Sequence, residues 1–75
     1  MRQKEWITKG VGRKFITIDV TDHLVCINVY NMKYVLEDYS FESLTKKEKT
    51  NNFLSQYAGD TLRYKIIKWI YNEEK

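Results

Sequence analysis

The side chains able to do chemistry in this sequence are few, and their spacing limits what that chemistry would be. The single histidine, His23, stands between Asp22 and Leu24. A carboxylate beside an imidazole is the start of an acid–base pair, but no nucleophile is placed near it. His23 therefore reads as a surface turn residue. The single cysteine, Cys26, would need an electropositive setting to be a reactive thiolate. Its expected cross-strand neighbours are Asp19 and Glu37, so it reads as an inert, partly buried thiol. A structural zinc needs about four Cys or His ligands, and one of each cannot supply them. Asp19, Asp22, Glu37, Asp38 and Glu42 lack the loop spacing of a divalent-cation site. They read as rim charges, or as an acidic patch able to meet a basic groove on a partner and replace that groove's occupant. No catalytic residue, metal or cofactor is expected.

Two phosphate-binding patterns fare little better. Gly10-Val11-Gly12-Arg13-Lys14 brings glycine amides and cations together, yet it lacks the spacing of a P-loop and precedes a strand rather than a helix. A hairpin turn accounts for its glycines. Lys46, Lys47 and Lys49 lie at a predicted helix start, where the positive end of the helix dipole makes lysines mildly unfavourable. With Arg13 and Lys14 they form the candidate set for nucleic-acid binding, helped by sheet-face aromatics.

The more specific pattern is one of recognition. Alternation places Phe15, Tyr30 and Lys33 in one row across a sheet, with Arg13 beside them. Asp19, Asp22, Glu37 and Asp38 gather toward the other end of the same face. Exposed aromatics next to Arg or Lys resemble an interface hot spot. The bland alternative is a solvated face with one stabilising aromatic pair.

The elements that must position these residues are legible from period. Ile16, Ile18 and Val20 alternate with Phe15, Thr17 and Asp19, and Val25, Ile27 and Val29 alternate with Cys26, Asn28 and Tyr30. A four-residue loop over Thr21–Leu24 pairs Val20 with Val25, Ile18 with Ile27 and Ile16 with Val29, keeping all the apolar residues on one face. A two-residue turn at Asn31-Met32 would then pair Val29 with Tyr34 and Ile27 with Leu36, completing a core face that includes both. A further strand over Lys4–Lys9 competes with a helix there, because Trp6 and Ile7 point to opposite faces. Thr45-Lys46-Lys47-Glu48 is a capping box that predicts a helix from about Lys46 to Ala58, with Gly59 as its left-handed stop. Its first two turns are polar, and only Phe53, Leu54, Tyr57 and Ala58 are free to bury. Asp60 is placed to cap a second helix, Thr61 to Asn72, with Leu62, Ile66, Trp69 and Ile70 on one stripe. A strand over the same residues fits less well. The expected fold is α+β: a three-stranded antiparallel meander, with a fourth strand as its extension, and two C-terminal helices on one face.

Composition bounds the rest. The chain has 75 residues, 43% of them hydrophobic and 15% aromatic, which is enough for one globular domain over residues 1–75 and not for two. The net charge of +3 is unevenly spread: residues 1–14 sum to +4, 15–44 to −4, 45–59 to +2 and 60–75 to +1. One Cys excludes a disulfide scaffold, and the longest apolar run, Leu24-Val25-Cys26-Ile27, is far below the ~18 residues of a membrane helix. The first residues carry no apolar leader pattern, so a cytoplasmic chain is expected. Lys, Asn, Ile and Tyr total 28 residues against 7 for Ala, Gly, Pro and Arg, a bias that predicts an A/T-rich genome, such as that of a low-G/C bacterium or its phages and plasmids. The function expected from these features is a small non-enzymatic protein that binds and inhibits a host macromolecule. A protein partner ranks first, nucleic acid second and self-association as a homodimer third.

Overall fold

The structure is a computed structural model and describes residues 2–9, 12–31, 35–41 and 47–71. It is α+β. Four strands, β1 (Arg2–Ile7), β2 (Phe15–Val20), β3 (Val25–Tyr30) and β4 (Val35–Phe41), form one antiparallel sheet in the order β1-β2-β3-β4. Two helices follow, α1 (Lys47–Leu54) and α2 (Asp60–Ile70).

The central hairpin is the one that alternation demands. Val20 pairs with Val25, Ile18 with Ile27 and Ile16 with Val29. Its four-residue connection closes on itself: the amide of Thr21 donates to the carbonyl of Leu24 at 2.9 Å, and the amide of Leu24 donates to Thr21 Oγ1 at 3.0 Å. All six β-branched residues of this hairpin's inner face are buried, and Phe53, Leu54, Ala58, Ile66, Ile67 and Ile70 of the helical segment join them in one cluster. Each such side chain taken from water contributes roughly 1.5–3 kcal/mol. Both helices thus lie on one face of the sheet and leave the other without a second layer among the described residues.

The fourth strand forms, but over Arg2–Ile7 rather than Lys4–Lys9. Thr8 already belongs to the turn: its amide donates to the Lys14 carbonyl at 2.9 Å, and its Oγ1 accepts from the Lys14 amide at 2.8 Å. Gly12 supplies the left-handed backbone there, with φ of 75°. Trp6 pairs with Ile16 and so falls on the helix-covered face, where its ring meets Trp69 edge-on at 5.1 Å. Arg2 reaches from the same strand to the end of α2, donating to the carbonyls of Trp69 and Ile70 at 2.7 and 2.8 Å.

Four expectations are corrected. The last strand does not pair through a two-residue turn at Asn31-Met32. It runs over Val35–Phe41, and Val29 pairs with Glu37, Ile27 with Tyr39 and Val25 with Phe41, with a register irregularity between Val29 and Tyr30. Ile27 therefore meets a residue three places later than Leu36, and an odd displacement turns the strand over. Leu36 is 44% exposed instead of buried. The longer strand explains the choice: Tyr39 and Phe41 are more apolar than Asp38 and Ser40, and it is they that register with Ile27 and Val25. Tyr34, the other core residue expected here, lies outside the described residues.

Second, α1 ends at Leu54, not Ala58, and Gly59 is not its left-handed stop. The Leu54 carbonyl accepts from both Tyr57 (3.0 Å) and Ala58 (2.9 Å), which tightens the chain out of the helix. Gly59 is extended, at φ −69° and ψ 172°, and is the N-cap of α2. Third, Asp60 therefore stands inside α2 rather than before it; its carboxylate pairs with Arg63 at 2.7 Å instead of capping. Fourth, the start of α1 is not wholly solvated. Thr50 is fully buried, and its hydroxyl lies 2.9 Å from that of Tyr71. The capping residue Thr45 and Lys46 lie outside the described residues.

Candidate interaction face

Strand pairing decides which side chains share the uncovered face. Its rows are Ile7–Phe15–Tyr30, then Glu5–Thr17–Asn28–Asp38, then Gln3–Asp19–Cys26–Ser40. Phe15 and Tyr30, paired across β2 and β3, stack with ring centroids 5.7 Å apart and planes 19° apart. The Tyr30 hydroxyl is tied down as well, donating to Glu5 Oε2 at 2.6 Å and lying 3.2 Å from Thr17 Oγ1. A hydrogen bond to an ionised acceptor at this length is among the stronger kinds. The ring is thus held by a stacking partner on one side and a carboxylate at its tip. It is a pre-ordered aromatic platform rather than a loose side chain, and ordering it costs a partner little on binding. Ile7, 47% exposed, lies beside the stack, and exposed Leu36 is on β4 next to Val35.

The charges on this face are of one sign. Among the described strand residues it carries Glu5, Asp19 and Asp38 and no Lys or Arg. Asp38 is exposed. Asp19 is half-buried, and its Oδ1 is shielded from solvent without a hydrogen-bond partner. The cations of β1, Arg2 and Lys4, pair with Val20 and Ile18 and so belong to the helix-covered side. The helices add Lys47, Lys49, Arg63, Lys65 and Lys68 against Glu48 and Asp60. The sheet therefore sorts the chain's charges, with carboxylates on its open face and an excess of cations on the helical layer.

The expected contact residues distribute accordingly. Phe15, Tyr30, Asp19 and Asp38 come together. Arg13 is exposed in the connection before β2, and Asp22 is exposed in the turn after it, beside exposed His23. Glu37 leaves the set: it registers with Val29, and Cys26 faces Ser40 instead. Lys33 lies outside the described residues. Of the candidate cations for nucleic acid, Lys14 is half-buried and donates to the Gly12 carbonyl at 3.2 Å, whereas Lys47 and Lys49 are exposed on α1; Lys46 is outside the described residues. Lys47 and Lys49 are on a helix over the other face and do not join the aromatic pair, whereas Arg13 and Lys14 directly precede Phe15 in the chain.

Glu5, Ile7 and Leu36 are members of the face that sequence reasoning missed. The signal for the first two was available. Once Gly10–Gly12 is a hairpin, β1 runs back along β2 and its odd-numbered residues fall beside Phe15, Thr17 and Asp19. Leu36 was hidden by the β4 register. Among the described residues no group of three or more His, Cys, Asp or Glu is placed to hold a metal ion, and no helix is long and apolar enough to cross a membrane. The chain matches no family model, no curated protein and no solved structure.

Proposed function

We propose that this chain is a protein-binding domain that lays the open face of its sheet on a basic surface of another protein and so blocks that surface. One observation carries the reading: among the described residues a four-stranded sheet is covered by helices on one side, and its other side presents an ordered Phe15–Tyr30 stack with the carboxylates Glu5, Asp19 and Asp38 on strands of the same sheet. Rigid aromatic contact area with a charged rim is the composition of an energetic interface centre. Three carboxylates with no cation among the described strand residues of this face repel phosphate, so the same face is a poor bed for nucleic acid. They suit a basic groove, including one that ordinarily holds nucleic acid. Within this reading the function is inhibition by occupancy, with no bond made or broken in the partner.

The test is affinity capture from a lysate of a low-G/C bacterium, comparing the wild-type chain with Phe15→Ala and Asp38→Lys. Far-ultraviolet circular dichroism checks that each variant is folded. Both substitutions are expected to lose the captured protein, and Tyr64→Ala, on the helical layer, to retain it. Capture that survives both sheet-face substitutions refutes the proposal. Asp38 is exposed, so its reversal separates a binding defect from a folding one even if Phe15→Ala unfolds.

A further inference from the structure

We infer that the helical layer is a second, independent binding surface, and that its ligand is single-stranded nucleic acid. The centre of this surface is Tyr64, which is 64% exposed on α2, on the opposite side of the sheet from the Phe15–Tyr30 stack. A ring so exposed contributes little to folding. Lys68 Nζ lies 5.1 Å from its centroid. Beside it, a groove of about 610 Å³ opens between α1 and α2, lined by Lys47, Arg63 and Lys68 together with Glu48 and Asp60. Arg63 is held in place, donating to Asp60 Oδ1 at 2.7 Å and to the Ala58 carbonyl at 3.4 Å. Lys65 is exposed one residue along from Tyr64. The arrangement is an exposed aromatic face flanked by cations from two helices, with Asp60 already paired to Arg63 and Glu48 the remaining carboxylate of the groove.

The two helices carry Lys47, Lys49, Arg63, Lys65 and Lys68 against Glu48 and Asp60, an excess of cations that favours a polyanion, and the aromatic ring chooses which. An acidic peptide seated in a groove needs an apolar anchor site. The aliphatic floor here is Ile67, which is only 7% exposed and offers almost no surface. An exposed tyrosine face instead suits a nucleobase, which stacks on aromatics without regard to sequence while lysines and arginine hold the flanking phosphates. A duplex keeps its bases stacked inside, so the single strand is favoured. This inference does not rest on the proposed role of the sheet face, which uses other residues and the opposite charge.

Fluorescence anisotropy of a labelled oligothymidylate with the full chain, across a salt series, tests it. Binding is expected at low salt, with log affinity falling linearly in log salt by about 0.7 for each phosphate engaged. Tyr64→Ala should weaken it by roughly 5- to 150-fold, the worth of one stacked base. Tyr64→Trp should bind at least as well as wild type. Lys65→Glu and Lys68→Glu should each flatten the salt slope by about 0.7. No binding at low salt overturns the inference, and so does affinity unchanged by Tyr64→Ala in a variant whose circular dichroism is that of wild type. Loss of binding in Phe15→Ala but not Tyr64→Ala would place the ligand on the sheet face, and displacement by polyglutamate at equal charge concentration would make the groove a peptide site; either result overturns it.

Discussion

Arg2 offers a quantitative test of how the two ends of this chain are joined. β1 is an edge strand that is mostly exposed, with only Trp6 half-buried. Its hold on the helical layer comes from the Trp6–Trp69 contact and from Arg2, whose Nη1 and Nη2 donate to the carbonyls of Trp69 and Ile70. Those carbonyls belong to the last turn of α2, at the negative end of the helix. The guanidinium also lies 4.7 Å from the centroid of the Trp69 ring. A hydrogen bond from a charged donor contributes about 1.5–3 kcal/mol, at the low end for an exposed side chain. A cation at a helix C-terminus adds roughly 0.3–1 kcal/mol, and an exposed cation–π contact about 0.5–1 kcal/mol. These contributions share one side chain and do not simply add. Arg2→Ala should therefore cost about 2 kcal/mol, which for a chain of this size is a fall in Tm of roughly 8–16 °C. Arg2→Lys keeps the charge but not the two-pronged geometry, and should recover about half of the loss. Thermal and urea denaturation followed by circular dichroism give both numbers. A loss under ~0.5 kcal/mol for Arg2→Ala, within the range of ordinary surface substitutions, would refute the clamp. An Arg2→Lys variant as stable as wild type would show that charge alone matters and that the paired hydrogen bonds do not.

Two backbone predictions follow from the glycines. Gly59 is an extended N-cap without a side-chain acceptor, and a Cβ there meets nothing within 4 Å, so Gly59→Ser should raise stability by about 0.5–1 kcal/mol; a lower urea midpoint would contradict the cap geometry. Gly12 also has open space around it but sits at φ +75°, so Gly12→Ala should lower stability by about 1–2 kcal/mol through backbone strain alone, and Gly12→Asn by less; equal midpoints for wild type and Gly12→Ala would show that the turn relaxes.

Much of the fold was legible because most of its signals are local. A period of two separates Ile16, Ile18 and Val20 from Phe15, Thr17 and Asp19 without reference to anything else, and a four-residue polar turn transfers that separation to β3. The α2 stripe reads the same way at its own period: Leu62, Ile66 and Ile70 face inward, which puts Tyr64 about two-fifths of the way round from certain burial and on to the surface. Burial of Ile67 beside that stripe shows that the apolar wedge is wider than four positions. Where reading failed, the missing information was not local. Thr50 looks like one more polar residue of a solvated turn until Tyr71, from the far end of α2, closes over it.

The chain by itself determined which residues could form a core, because alternation and helical stripe are properties of neighbours and the hydrophobic effect acts on whatever face they make. It also held the number of His and Cys side chains to one each, too few for the usual four-ligand zinc set. Only the tertiary structure decided which charged and aromatic side chains share a face. Net charge along the chain shows basic ends and an acidic middle, yet Lys4 and Glu5 are adjacent in sequence and end on opposite faces. Pleating sends successive side chains to opposite sides, and strand pairing then collects Glu5 with Asp19 and Asp38, and Arg2 and Lys4 with the helices. That sorting depends on the register of strands far apart in the chain, including a β4 register displaced by an irregularity at Val29 and Tyr30, and no window of sequence contains it.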